Sequence, residues 1–364
     1  MRNGLKIARY KRLGMVALYL LATVQFVWCY LWQVRPYVLT SAYEQGTERM
    51  PFQGRLLMMP VMRWAHNQQW VTHISTLMHA NIYWFPRPMQ PEVLVQALID
   101  FACIVTAGLV ATSIYRRASR LHLLTPLVYP MVLVLCVTTY ILHTIQNFRF
   151  IYDLPSLAFF SIALWLIYCH KPVWIFAAVF LVATLNRETT LLLLPIYAIS
   201  ELFHNQRRDN RPDWTRLYSA RVLAVVIPLA LYWLSWQVAV RHIFAHNPSE
   251  FYSRIPQNLG FLISPRAWPQ MLGACGYLFP IVLILRRHLR STELRAWLWV
   301  LPIWFAFMFV YGILIETRIF GELIPYMACA AILITEESIA ERLIQRTTRL
   351  HAEEPHHPAY SQAA

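Results

Sequence analysis

Apolar residues in this chain come in long, nearly uninterrupted runs, not with the period of a half-buried helix or strand. A run of about 20 is what a helix needs to cross the hydrocarbon core of a bilayer. Such runs lie near Leu13 to Val34, Val93 to Tyr115, Leu121 to Thr144, Leu154 to Tyr168, Val222 to Val240, Gln270 to Leu285, Ala296 to Ile315 and Phe320 to Thr335. Two shorter runs, Val173 to Leu185 and Thr189 to Phe203, are separated only by Asn186-Arg187-Glu188. Read as one helix, they would put Arg207, Arg208, Arg211, Arg216 and Arg221 outside, against the tendency of Lys and Arg to stay cytoplasmic. A hairpin with Asn-Arg-Glu at its outer tip keeps those arginines inside. The pattern therefore predicts an all-α polytopic membrane protein of about ten spans, with both termini cytoplasmic.

Loops between the runs are short, with a few exceptions. Residues 35–90 form a long first extracytoplasmic segment in which RLLMMPVMRW and WVTHISTLMHANIYWF are rich in Met, Trp and aliphatics, as expected of helices lying in the membrane interface. Residues 242–269 carry Pro248, Pro256, Pro265 and Pro269 and read as a second, irregular outer segment. Residues 1–335 then make one transmembrane domain. Residues 336–364 make a cytoplasmic surface helix and, from His351, a polar tail expected to be disordered.

Composition sharpens this picture. The chain has 364 residues, 58% hydrophobic and 14% charged, against roughly 25% charged in an ordinary soluble domain, which excludes a soluble enzyme, a disordered chain and a nucleic-acid binder. The net charge of +14 comes from 32 Lys+Arg against 18 Asp+Glu, and only Lys6, Lys11 and Lys171 are lysines; all three fall on the cytoplasmic side. A basic excess of this kind suits anionic membrane lipid. The N-terminal run has the charged flank of a signal peptide but no small-residue cleavage site after it, and reads as an uncleaved first span. The six cysteines show no metal-ligand spacing and read as small core hydrophobes.

Candidate chemistry sits at the outer ends of the spans, because ionisable groups next to a bilayer are costly and are usually paired or functional. The first outer segment offers Glu44, Glu48, Arg49 and Arg55; the next outer tip Arg149 and Asp153; the hairpin tip Arg187 and Glu188; the last tip Glu316, Arg318 and Glu322. Arginine is suited to such a place, since its planar fork grips phosphate or carboxylate at two points and stays charged. A cleft of this composition at a membrane boundary fits a ligand with an apolar tail and an anionic head, such as a lipid-linked sugar phosphate. The same acids and arginines are also what structural ion pairs at helix ends look like, and Asp100 inside the second span is a candidate buried partner for an outer arginine. His66, His73 and His79, spaced by seven and six, do not have a standard zinc spacing, and no cofactor or metal is implied.

The span pattern and the stretch ATLNRETTLLLLP, Ala183 to Pro195, resemble the polytopic, polyprenyl-phosphate-sugar-dependent glycosyltransferases of the GT-C superfamily, several of which carry a small-x-Arg-Pro-Glu-Gly-aliphatic stretch; here no proline separates Arg187 from Glu188. The resemblance implies inverting sugar transfer at the extracytoplasmic face of the cell inner membrane. A carboxylate of the first outer loop would deprotonate the acceptor, and arginines would meet the departing polyprenyl phosphate. In that family the base is typically an aspartate, but no aspartate occurs between Arg35 and Met89, which leaves Glu44 or Glu48. Arg55, Arg149, Arg187 and Arg318 would contact phosphate, positioned by Asp153, Glu188, Glu316 and Glu322. Two other readings use the same outer face: a transporter or flippase of an anionic lipid-linked sugar, and a non-catalytic subunit that binds protein partners in envelope polysaccharide assembly.

Overall fold

The computed structural model describes residues 2–81, 90–142, 148–203 and 212–353. Its helices are α1 (Arg2–Gln33), α2 (Thr40–Gln45), α3 (Met59–His66), α4 (Gln69–Asn81), α5 (Pro91–Ala118), α6 (Thr125–Cys136), α7 (Asp153–Tyr168), α8 (Val173–Asn186), α9 (Leu193–Glu201), α10 (Ala220–Ile243), α11 (Ile255–Ile263), α12 (Trp268–Leu272), α13 (Leu278–Ile284), α14 (Thr292–Ala296), α15 (Val300–Tyr311) and α16 (Ile324–Glu353). Among the described residues, strand is confined to a two-residue parallel pair, Arg35–Pro36 with Phe148–Arg149. The expected His79 side chain, Arg207, Arg208, Arg211 and the tail beyond Glu353 lie outside the described residues.

This is a helical membrane protein. Among the described residues, five helical stretches are long and apolar enough to cross a bilayer: Tyr10–Gln33, Pro91–Ala118, Ala220–Ile243, Thr292–Tyr311 and Thr317–Arg346. Their outward faces are those of lipid-exposed helices. On α10 the exposed Leu223, Ile227, Leu231, Leu234 and Val238 recur every three or four residues, a stripe that only an apolar solvent would accept at that length. Local signals set the ends of these helices. Pro91 opens α5 and Arg116 and Arg117 close it, matching the macrodipole; the Ser219 hydroxyl accepts from the Val222 amide to start α10.

Packing centres on α7, which is buried over most of its length and touches α5, α8 and α9. Around it, α5 packs on α1, α6 and α16. Gly321, on the turn entering α16, is required there: a Cβ would lie 1.9 Å from the Tyr140 hydroxyl oxygen and 2.6 Å from its Cζ. We expect Gly321→Ala to destabilise the protein by about 1–3 kcal/mol through overpacking, read as a lower unfolding midpoint in detergent. Tyr140→Phe in the same chain should recover only part of it, since Cζ remains too close.

At Asn186-Arg187-Glu188 the chain reverses. Arg187 is extended (φ −160°, ψ 143°), Thr184 meets Thr190 at 3.2 Å, and Phe176 near the start of α8 stacks on Tyr197 in the middle of α9 with ring centroids 5.3 Å apart.

Three expectations are corrected. The run Gln270 to Leu285 is not one straight helix: Pro265–Leu272 and Ala274–Ile284 meet at 84°, the bend falling where Cys275, Gly276 and Tyr277 all have positive φ. The second outer segment is partly helical, since α11 lies within it. The region after Thr335 is no separate surface helix, because α16 runs on to Glu353. It is held there by Glu336, which is 1% exposed and accepts from the Tyr115 hydroxyl (2.6 Å), the Ser119 hydroxyl (2.6 Å) and the Leu123 amide (2.7 Å).

Candidate functional site

The hairpin turn delivers Arg187 to the middle of a buried charge cluster. Its Nη1 lies 3.2 Å from Asp153 Oδ1, on the first residue of α7, and 3.0 Å from Glu322 Oε1, on the turn before α16. Both carboxylates are fully buried. Asp153 Oδ1 also receives Arg318 Nη1 at 3.4 Å, and Arg318 Nη2 reaches Glu316 Oε2 at 2.5 Å. Thr189 donates to Glu322 (2.9 Å), and the Asn186 amide donates to the Tyr152 carbonyl (3.0 Å) and the Ser156 hydroxyl (2.9 Å), pinning the turn to α7.

From the first outer segment, Arg55 grips Glu188 with both ends of its fork, Nε to Oε2 at 2.9 Å and Nη2 to Oε1, and lies 4.2 Å over the Tyr152 ring. The structure thus brings together Arg55, Asp153, Arg187, Glu188, Glu316, Arg318 and Glu322. Arg55 Nη1 and Arg187 Nε remain buried without a hydrogen-bond partner among the described residues. Buried guanidinium donors are rarely left unpaired in a finished protein interior, and here both belong to residues that line a cavity.

That cavity measures about 540 Å³ and is lined by Arg55, Arg187, Arg241, Arg254 and Arg318, with Glu188, Glu250 and Glu316 as its carboxylates. A second cavity of about 260 Å³ shares Arg55, Glu188 and Arg241 with it. The two outer segments meet as its wall: the Met50 amide donates to the Pro248 carbonyl (2.7 Å) and the Glu250 amide to the Met50 carbonyl (2.8 Å), while the Asn247 side chain donates to the Gly46 and Glu48 carbonyls. Gly46 takes φ +80° to end α2 at that junction. Along α15 the chemistry changes by one turn: Phe307, Met308 and Tyr311 face the charged cavity, whereas Leu301, Trp304 and Phe305 line an apolar cavity of about 910 Å³. The linings of the two cavities lie about one turn apart on α15 and share no residue, and the larger, mainly apolar one also takes in Arg286 and Arg295.

Three predicted site residues stand apart from this cavity. Glu48 is 4% exposed, with its carboxylate on the amides of Leu39 (3.1 Å) and Arg49 (3.0 Å), so it organises the loop backbone. The Glu44 carboxylate lies beside the contacting pair His66 and Glu92, 3.9 Å from His66 Nδ1. Arg149 donates to Gln96 at 3.4 Å on α5, one turn from the buried Asp100. Neither Glu44 nor Glu48, expected as the base, lines this cavity; the carboxylates in its lining are Glu188, Glu250 and Glu316. Glu250 and Arg254 lie in the segment that reads as irregular, and Arg241 lies just before it at the end of α10, so sequence patterning did not mark them. The signal that could have found them is Glu250 between two arginines among the aromatics Phe251 and Tyr252.

Among those three carboxylates, Glu188 uses both oxygens for Arg55. Glu250 accepts from the Tyr37 hydroxyl on both oxygens (3.2 and 3.0 Å) and pairs with Arg49. The side-chain contacts of Glu316 with described residues use Oε2 alone. Compared with protein family models, curated proteins and solved structures, the chain has no match.

Proposed function

We propose that this chain is a glycosyltransferase of about ten spans in the cell inner membrane, both termini cytoplasmic, that transfers a sugar from a lipid-linked phosphate donor on the extracytoplasmic face. The observation that carries this reading is the juxtaposition along α15 of a cavity lined by five arginines with an apolar cavity large enough for part of a lipid chain. The span number is supported by the five long stretches, the bent pair, the shorter helices Thr125–Ile141, Asp153–Tyr168 and Val173–Asn186, and the return limb of the hairpin. Arg318, Arg254 and Arg241 meet the phosphate; Arg187, held by Asp153 and Glu322, fixes the floor.

Glu316 is the general base of this proposal. Its Oε1 takes the acceptor hydroxyl proton as that oxygen attacks the anomeric carbon, the bond from that carbon to the phosphate oxygen breaks with inversion, and the arginines receive the departing phosphate's charge. Reconstituted protein given a radiolabelled polyprenyl-phosphate hexose and membrane extract as acceptor should yield a labelled glycan. Glu316→Gln should lower the rate by roughly 10²–10⁴-fold with the protein still folded. A variant as active as wild type removes the assigned base. Movement of the intact lipid between leaflets without product would support the flippase reading.

A further inference from the structure

Glu44, His66 and Glu92 come from three separate elements, α2, the last turn of α3 and the first turn of α5. One donor atom from each lies within 4.8 Å of the others. His66 Nδ1 contacts Glu92 Oε1 and lies 3.9 Å from Glu44 Oε2. None of the three lines the charged cavity. We propose that they form a binding site for a divalent transition-metal cation of the Zn²⁺ class, which ties the first outer segment to the helical bundle.

Two further observations point to a ligand here. Glu92 is 6% exposed, and its Oε2, like Glu44 Oε1, is buried with no hydrogen-bond partner among the described residues. Two carboxylates therefore face one imidazole, with charge left over. Arg63 donates its Nε to the Glu44 backbone carbonyl.

The donor set selects among ions. One imidazole with two carboxylates suits Zn²⁺, which takes His nitrogen and carboxylate oxygen at about 2.0–2.2 Å, in preference to Mg²⁺ or Ca²⁺, which favour all-oxygen sites. Donors around such an ion lie about 3–3.5 Å apart, so shifts of roughly an ångström close the set. His66 is 62% exposed in its side chain, which leaves a coordination position open to water.

The test uses the full-length protein in detergent, free of any polyhistidine tag, stripped with chelator and then dialysed against Zn²⁺. Bound metal is counted by mass spectrometry and the unfolding midpoint is read with and without the ion. Wild type should hold one more Zn²⁺ per chain than Glu44→Gln, Glu92→Gln or His66→Ala, and only wild type should gain thermal stability from micromolar Zn²⁺. His66→Ala alters an exposed side chain, so its folding is secure even if a glutamate variant aggregates. Equal zinc content in wild type and His66→Ala overturns the site, as does uptake of Mg²⁺ in its place. These readouts need no sugar transfer, so they stand or fall apart from the proposed activity.

Discussion

Arg187→Met should be the most damaging single change in the chain, destabilising it by about 3–5 kcal/mol, the cost of removing one partner from a buried ion pair. The guanidinium is 4% exposed and serves Asp153 and Glu322, both at 0%. Without it, Asp153 keeps Arg318 at 3.4 Å, but Glu322 keeps no cation among its described contacts, its carboxylate accepting from the Thr189 hydroxyl and its own backbone amide. The larger part of the cost is therefore the stranded Glu322 charge, and it can be separated from lost packing. Arg187→Met with Glu322→Gln should unfold at a higher temperature than Arg187→Met alone, because neutralising the acid removes the need for its partner. It should still lack activity, since the cavity floor has lost its cation. Thermal unfolding of the three proteins in detergent decides this. A double variant no more stable than the single would mean that Arg187 and Glu322 do not interact as the 3.0 Å contact implies.

The cluster's position was legible because charge constrains membrane topology before any contact is known. Five basic residues after Phe203 are the reason the sequence reads as turning back near Arg187, and the turn observed there brings Arg187 together with Arg55, Asp153 and Arg318. What the sequence could not show is where a carboxylate points once its loop has folded. Glu44 and Glu48 sit four residues apart on one short segment, yet Glu48 turns inward to satisfy two backbone amides and Glu44 turns toward His66. The partner that completes the latter group, Glu92, is 48 positions from Glu44 in the sequence, and no local spacing rule links them. The 84° bend near Cys275 was hidden for a similar reason: hydropathy measures how apolar a run is and is blind to its direction. Glu336 gave the opposite error. An acid after a long apolar run suggests the end of the bilayer, but Tyr115, Ser119 and the Leu123 amide satisfy it internally, so the helix continues.

Arg318 separates the anion-binding role from the structural one, because its loss leaves Asp153 still paired with Arg187. Arg318→Ala should therefore cost less stability than Arg187→Met while lowering transfer by about 10²–10³-fold, the usual effect of removing one donor to a developing negative charge. The side chain is 11% exposed, bridges Asp153 and Glu316, and lies 3.7 Å over the Phe150 ring. That stacking fixes the plane of its fork. Arg318→Lys is the more discriminating variant: lysine keeps the charge, but it cannot reach two carboxylates from one rigid plane or lie flat on Phe150. We expect it to recover the unfolding midpoint and leave transfer at least about tenfold below wild type, with the defect in kcat exceeding that in KM if the fork meets charge that develops only as the phosphate departs. Equal kcat/KM for wild type and Arg318→Lys would show that the site needs only a positive charge there. Equal kcat/KM for wild type and Arg318→Ala would remove Arg318 from the reaction, and with it the reading of this cavity as a phosphate site.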